Sequence, residues 1–318
     1  MSDKSLIRVG TRGSELALAQ TRLVIEALSQ SNPLLEFRIV EVVTQGDRSQ
    51  HSSQPVRDKR EWIHELEQDL ISNKIDIAVH SAKDVPIDIN SLTSVCAVLK
   101  RSQVEDVIIF KSELSQSIQT LPIGASIATS SNRRSAQLMR LRPDFQIVPI
   151  RGNVPTRIKK LQTSDTLHGT VLAQAGLERL GIDLSCIERL TPEVMVPAMN
   201  QGILAVQYLS ENTLIQQELS KICDGVTNHA FLAERECIKI LGADCDSAIG
   251  VYADVRHNRL KIVGRVLSND GKQSVEAFQE GNQEDDKNIG ALLAGDLIEM
   301  GALSLLELSR SESKKCSS

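Results

Sequence analysis

Aromatic side chains are scarce: they make up 3% of the 318 residues, and Trp62 is the single tryptophan. A core built without them is aliphatic, which suits parallel sheets flanked by helices. No stretch approaches the ~18 uninterrupted apolar residues of a membrane span. Met1-Ser2-Asp3-Lys4-Ser5 lacks the apolar block of a secretory signal, so a soluble, cytoplasmic chain is expected. The six cysteines (Cys96, Cys186, Cys223, Cys237, Cys245, Cys316) have no paired short spacing. They read as reduced thiols and support neither a disulfide framework nor a zinc site. Walker-type and metal-ligand patterns are missing as well, and no metal is expected.

An excess of positive charge is also lacking. The formal net charge is −5, which argues against a generic nucleic-acid or membrane-surface coat. The charge is unevenly spread. Between Ser131 and Lys160 the chain carries Arg133, Arg134, Arg140, Arg142, Arg151, Arg157, Lys159 and Lys160 against Asp144 alone, a local +7 that leaves −12 elsewhere. An anionic partner is expected at that segment.

The length allows two or three domains. Strand and helix signals alternate from the start. Leu6–Gly10 reads as a strand, Ser14 as the N-cap of a helix ended by Asn32-Pro33, and Phe37–Val43 as a second, parallel strand. A helix over Glu61–Ser72 and a strand over Ile75–His80 follow, the latter running into the loop Ser81-Ala82-Lys83-Asp84-Val85-Pro86. After strands near Ser94–Leu99 and Asp106–Phe110 a second alternating block begins with a strand over Ile123–Thr129 and a helix over Asn132–Leu141 closed by Pro143, and an irregular segment follows over 184–200. Ile203–Tyr208 reads as a strand returning to the first lobe. A helix ending at Leu241, three strands and a further helix make a small α+β region, and the tail after Arg310 reads as disordered. Internal repetition is weak, although Gly10-Thr11-Arg12-Gly13-Ser14 and Ala128-Thr129-Ser130-Ser131-Asn132-Arg133 share one order of strand, hydroxyl, arginine and helix.

Strand ends that enter helices are places for chemistry. Thr129-Ser130-Ser131-Asn132-Arg133-Arg134 and Arg151-Gly152-Asn153 with Arg157 bring hydroxyls, guanidinium groups and free helix N–H groups together, which suits a carboxylate or phosphate. Nucleic acid is the rival ligand, opposed by the missing aromatics. Asp84 reads either as a turn former paired with Lys83 or as a carboxylate able to stabilise a cation and relay a proton. His80, on an alternating strand, reads as a hydrogen-bonded core histidine. Gln20 lies on the inner stripe of the first helix with Leu16, Leu23 and Ala27, facing either a ligand or the backbone. Cys245 stands in a loop after Gly242, where a thiol can reach a substrate, although Asp244 and Asp246 disfavour its thiolate.

In this order the pieces resemble the porphobilinogen deaminase (hydroxymethylbilane synthase) family. The resemblance runs nearly the whole length: Thr11-Arg12-Gly13-Ser14-Glu15-Leu16-Ala17, Thr44-Gln45-Gly46-Asp47, Val79-His80-Ser81-Ala82-Lys83-Asp84-Val85-Pro86, Thr129-Ser130-Ser131-Asn132-Arg133-Arg134, Arg151-Gly152-Asn153-Val154, Ala175-Gly176-Leu177, Ala233-Glu234-Arg235 and the Cys245 loop.

It implies two lobes like those of type II periplasmic binding proteins (1–101 with 198–220, and 102–197) and a C-terminal α+β domain (221–318). That last domain would carry a dipyrromethane cofactor in thioether linkage to Cys245. The implied reaction condenses four porphobilinogen molecules head to tail on that primer, loses ammonia each time and releases the tetrapyrrole by hydrolysis. Asp84 is then the catalytic carboxylate. Ser81, Lys83, Thr129, Ser130, Ser131, Arg133, Arg134 and Arg151 are implied at the cofactor, and Arg12, Ser14, Gln20, Asp47, Lys59, Arg157, Arg179 and Gln201 at the substrate. A monomer is implied, with neither nucleic acid nor membrane as partner. The other reading is a non-catalytic two-lobed anion binder.

The chain departs from the family pattern at Arg57-Asp58-Lys59-Arg60-Glu61-Trp62, usually Gly-Gly-Lys-Gly-Leu-Phe, where Trp62 replaces the aromatic. It departs also at Asn200-Gln201-Gly202 (usually Gly-Gln-Gly), at Gln45 (usually Arg) and at Ala243-Asp244 (usually Gly-Gly).

Overall fold

The computed structural model describes residues 5–49, 59–111, 117–183, 185–244 and 247–315. The chain divides into two compact units, one of Met1–Ser102 and Gln201–Phe231, the other of Gln103–Asn200 and Leu232–Ser318.

The first unit opens with β1 (Ser5–Thr11), α1 (Glu15–Ser31) and β2 (Leu35–Glu41). Ser14 starts α1 because its extended backbone lets Oγ accept the Ala17 N–H at 3.2 Å, and Asn32 ends it. β1 and β2 pair in parallel from Ser5↔Leu35 to Thr11↔Glu41, as the β-α-β reading requires. The short α2 (Gln45–Ser49) comes next, then a 3-10 turn over Lys59–Trp62, α3 (His64–Ile71), β3 (Ile77–Ser81) and β4 (Thr93–Val98). The second unit supplies β5 (Asp106–Phe110), β6 (Ser126–Ala128), α4 (Asn132–Leu141), β7 (Gln146–Val148), α5 (Val154–Thr163), β8 (Gly169–Ala173), α6 (Gln174–Arg179) and β9 (Ile187–Leu190). The chain re-enters the first sheet as β10 (Leu204–Leu209), followed by α7 (Thr213–Ser220) and by α8 (Gly225–Leu241), within which the division into units falls. The last part is β11 (Ile249–Arg256), β12 (Arg259–Leu267), β13 (Ser274–Asn282), α9 (Asp286–Glu299) and α10 (Ala302–Lys315).

The two five-stranded sheets share one topology. The first has the order β2-β1-β3-β10-β4 and the second β7-β6-β8-β5-β9. In each, three parallel strands are followed by one antiparallel strand (β10 or β5) that pairs on both sides. These are two α/β lobes of like topology, joined in sequence to a small antiparallel sheet, β11-β12-β13, with helices. β1 and β6 hold the same place in their sheets, which accounts for the shared order of residues at Gly10–Ser14 and Ala128–Arg133.

Two expectations are corrected. Segment 184–200 is not wholly irregular, because Ile187–Leu190 pairs with β5 as the edge strand β9. The tail is helical through Lys315, since α10 buries Ala302, Leu305 and Leu306 near its start.

The core is aliphatic, as the composition demands. The largest fully buried side chains are leucine, isoleucine and methionine, among them Leu28, Leu66, Ile77, Ile127, Leu138 and Met195, each contributing roughly 1.5–3 kcal/mol by leaving water. One face of the first sheet (Ile7, Val9, Ile77, Val79, Val206) packs on Val24 and Leu28 of α1 and Ile215 and Leu219 of α7. The other face, at Ala78, meets Leu66 and Leu70 of α3. The buried stripe of α1 is therefore Gln20, Thr21, Val24 and Leu28, while Leu23 is 40% exposed, which corrects the stripe read from spacing. Strands buried on both faces leave only their ends for chemistry.

Candidate active site

In the first unit the parallel strands β1 and β3 end on one edge, and the antiparallel β10 begins there, with Leu204 opposite Ser81. That register gathers the loop Arg12-Gly13-Ser14, the residues Ser81, Lys83 and Asp84, and Gln201. The Lys83 ammonium donates to Gln201 Oε1 at 3.2 Å, and Arg101 Nε donates to the Gln201 carbonyl at 2.8 Å. A pocket opens on this edge, lined by Arg12, Ser14, Gln20, Trp62, His80 and Asp84 among others. Gln20 is 3% exposed, and its Nε2 donates to Ser81 Oγ at 2.8 Å, so its partner is a pocket side chain and not the backbone. Asp84 stands in the 3-10 turn Ala82–Asp84, half-buried, and its carboxylate forms no hydrogen bond or ion pair among the described residues. His80 is the buried histidine that the strand pattern suggested, with Nε2 3.2 Å from Gln207 Oε1. Its burial, reinforced by Arg12, pulls its pKa down to about 4 against the opposing pull of Gln207 and Asp84.

Arg12 is held on two sides. Its Nη2 lies 2.5 Å from Asp47 Oδ1, and its guanidinium stacks 4.2 Å from the centre of the Trp62 ring. Gly46 makes this possible, since a Cβ there would stand 2.3 Å from the indole. Burial pushes the Asp47 carboxyl up, but the hydrogen bonds and charge of Arg12, with two hydrogen bonds from Thr44, outweigh it and hold the group below the usual carboxylate range. Asp47, implied at the substrate, thus faces Arg12 and Thr44. Lys59 begins the turn that presents Trp62.

The second unit repeats the arrangement. β6, β7 and β8 run parallel, and their ends carry Thr129-Ser130-Ser131, Arg151-Gly152-Asn153 and, through α6, Arg179. Ser131 caps α4 and Asn153 caps α5, the latter by accepting the Thr156 N–H at 2.9 Å. Ser130 Oγ donates to the Ile150 carbonyl at 2.8 Å and accepts the Ile150 N–H at 2.9 Å, which ties the two loops together. Arg157 Nε donates to the Gly152 carbonyl at 2.7 Å. Burial lowers the Arg179 pKa to about 10, with Glu178 opposing.

Arg133 and Arg134 do not form the open guanidinium pair expected at the α4 start. Both are buried and directed to Asp106, at 2.8 and 2.7 Å, and donate further to the carbonyls of Val196 and Val171. Asp106 is fully buried, and the sequence reading missed it. The available signal was a lone carboxylate opening the otherwise apolar strand Asp106-Val107-Ile108-Ile109-Phe110.

Cys245 lies outside the described residues. Its flanks are fixed by Ser247 Oγ, which donates to Asp244 Oδ1 at 2.8 Å and accepts the Asp244 N–H at 3.2 Å. Burial pushes the thiols of Cys96 and Cys237 up to about 12, far from a working nucleophile. Among the described residues, no group of three His, Cys, Asp or Glu side chains is placed to hold a metal, and no single helix is long and apolar enough to cross a membrane.

Comparison with known proteins bears on this geometry. Residues 7–217 match the model of the porphobilinogen deaminase dipyrromethane cofactor binding domain, and residues 229–299 that of the porphobilinogen deaminase C-terminal domain. The chain belongs to the porphobilinogen deaminase family.

It is 39% identical to the porphobilinogen deaminase of Carboxydothermus hydrogenoformans, over 96% of this chain and 97% of that one. It is 38% identical to that of Deinococcus radiodurans, over 96% and 99%. A solved structure, the periplasmic VFT2 domain of Bordetella pertussis BvgS, matches 70% of this chain and 88% of its own with 14% identity and a TM-score of 0.41. A porphobilinogen deaminase is a transferase, and its cofactor is a dipyrromethane. The donor set fits that group. In the first unit, a carboxylate with no hydrogen bond or ion pair among the described residues suits pyrrole N–H groups, and in the second unit, taken by itself, the hydroxyls at two capped helix starts with nearby arginines suit acetate and propionate side chains.

Proposed function

We propose that Asp84 is the catalytic carboxylate of this deaminase and that Cys245 is the thioether attachment point of its cofactor. The observation that carries the first assignment is the Asp84 carboxylate, which lines a pocket with Arg12, Gln20 and His80 and is neutralised by no hydrogen bond or ion pair among the described residues. When bound, the dipyrromethane supplies the pyrrole carbon on which porphobilinogen is condensed.

Asp84 accepts the substrate pyrrole N–H and faces the positive charge left on the methylene carbon as the C–N bond breaks and ammonia departs. At ~4 Å a unit charge pair is worth about 4 kcal/mol in a partly screened site against about 1 in water. The difference is ample for a hundredfold in rate. Ser81 and Lys83 on the same edge, and Thr129, Ser130, Ser131 and Arg151 in the second unit, hold cofactor carboxylates. Ser14, Gln20, Gln201, Arg157 and Arg179 orient substrate, and Lys59 begins the turn whose Trp62 stacks on Arg12. Arg133 and Arg134 act through Asp106, which orients the start of α4. A pure anion binder needs arginines but has no use for Asp84. The working form is read as a cytoplasmic monomer acting on porphobilinogen, and the net charge of −5 disfavours nucleic acid and membrane surfaces as partners.

The test compares wild type, Asp84→Asn and Cys245→Ser by intact mass and turnover. Wild type and Asp84→Asn should both carry a two-pyrrole adduct that Cys245→Ser lacks, while Asp84→Asn loses turnover by about a hundredfold or more. Wild-type rates in Asp84→Asn would refute its role, and an adduct on Cys245→Ser would refute the attachment point.

A further inference from the structure

Behind the pocket wall lies a chain of buried polar groups that the reaction, as described, does not use. Glu67 on α3, Thr93 on β4 and Gln207 on β10 are 8%, 5% and 0% exposed. Gln207 Nε2 donates to Glu67 Oε1 at 2.7 Å and to Thr93 Oγ1 at 2.9 Å. Glu67 Oε1 also accepts the Asn90 N–H at 3.1 Å, and the Thr93 hydroxyl spends its proton on the Asn90 carbonyl at 2.9 Å. Both neighbours of Nε2 are therefore acceptors. Turning the amide over would set oxygen against oxygen at both contacts, so the Gln207 orientation has one solution. Its oxygen faces His80 Nε2, which must then carry the ring proton. His80 lines the pocket, and its other ring nitrogen, Nδ1, has no hydrogen bond among the described residues.

We propose that Glu67, Thr93 and Gln207 are positioning residues that hold His80 as the neutral Nε2–H tautomer, so that the pocket beside Asp84 meets the lone pair of Nδ1 and not a second N–H. The inference rests on the deaminase reading of the pocket. A substrate that bears an ammonium, a pyrrole N–H and then a methylene cation is served by an acceptor and opposed by a donor. The charged groups facing His80 are Asp84 from the turn after β3 and Arg12 from the loop after β1, and Glu67 stands behind Gln207. An imidazolium here would pair with Asp84 and spend the carboxylate meant for substrate.

The test is long-range 15N NMR of the holoprotein labelled at its six histidines, with His80 assigned by the signal lost in His80→Gln. Wild type should show neutral, Nε2-protonated His80 from pH 5 to 8. An Nδ1–H tautomer, or an imidazolium at pH 7, overturns the proposal. In Glu67→Gln the new amide can accept or donate, so Gln207 can turn over. A mixture of tautomers is then expected, with kcat down about tenfold and KM within about twofold. A changed stability with an unchanged tautomer, or a changed tautomer with unchanged kcat, also overturns it. Should Glu67→Gln fail to fold, Thr93→Val removes one of the two acceptors and is read in the same way, and the wild-type spectrum still decides the tautomer. The spectrum requires no turnover, so failure of the deaminase reading would appear separately, as wild-type protein that forms no product.

Discussion

Two aspartates of the first unit differ in what surrounds them, and their roles divide accordingly. Asp84 keeps its carboxylate for the pocket, whereas Asp47 spends its own on Arg12 and Thr44. Arg12 in turn is stacked on Trp62, so Asp47 acts by fixing a pocket wall. Asp47→Asn should cost about 1–2 kcal/mol at pH 7, the scale of a lost charge-assisted hydrogen bond at a partly exposed pair. The folded-state pKa lies below the unfolded one, so the unfolded chain takes up the proton first as pH falls. The stabilisation from Asp47 is therefore complete above the ordinary carboxyl value of ~3.9 and is lost as pH drops through the lower folded value. Urea unfolding of both proteins from pH 7 down to pH 3 should show the difference shrink at the acid end. A gap that does not change with pH would mean that the asparagine acts through packing.

At the scale of elements, each strand-end edge depends on how a strand turns into a helix. After β7 the turn is made by Gly152, at φ 114°, where a Cβ would lie 2.7 Å from Thr156 of α5. Gly152→Ala should destabilise by roughly 1–3 kcal/mol from backbone strain and crowding together, read as a lower urea midpoint, and an unchanged midpoint would mean that the loop relaxes freely. Such turns are legible in sequence because caps and glycines are local signals. Helix α4 has the bounds Asn132–Leu141 expected of it, and Ser14 starts α1 as expected. The edge strand β9 was not legible, because Glu188 and Arg189 break the apolar pattern and only pairing with β5 defines it. The Ser- and Lys-rich end of α10 reads as a tail because the leucines that anchor the helix lie at its other end. In the site, the strand-end positions of Arg12, Ser81 and Asp84 were legible. The inward turn of Arg133 and Arg134 was not, because Asp106 stands 28 residues before Arg134, on strand β5, and spacing carries no record of that pairing.

For the whole molecule, charge summed along the chain overstates what the surface offers. Of the eight basic residues between Ser131 and Lys160, Arg133 and Arg134 are engaged by Asp106 and Arg142 by Asp144. Part of the local +7 is therefore structural. From Arg133 a buried network continues within the second unit. Arg133 Nη1 and Gln137 Nε2 both donate to the Val196 carbonyl, at 2.9 and 3.1 Å, and Gln137 Oε1 accepts from Val196 N–H at 2.8 Å and from Arg265 Nη1 at 2.9 Å. Arg265, on the central strand of the C-terminal sheet, also donates to the carbonyls of Glu193 and Val194 and pairs with Glu276 at 2.6 Å. The sheet that follows Cys245 in the sequence is thereby tied to the helix start that Asp106 orients. Arg265→Met should cost on the order of 2 kcal/mol, since Glu276 is 42% exposed and can rehydrate while the Gln137 end stays buried. Arg259→Met removes a pair on the same strand that is open to water, with Arg259 61% and Glu280 44% exposed, and should stay within about 0.5 kcal/mol of wild type. Urea unfolding of the two variants side by side separates the cases. Equal losses would mean that burial of Arg265 adds nothing to what an exposed ion pair provides, and the network would then have no claim to hold the C-terminal sheet in place.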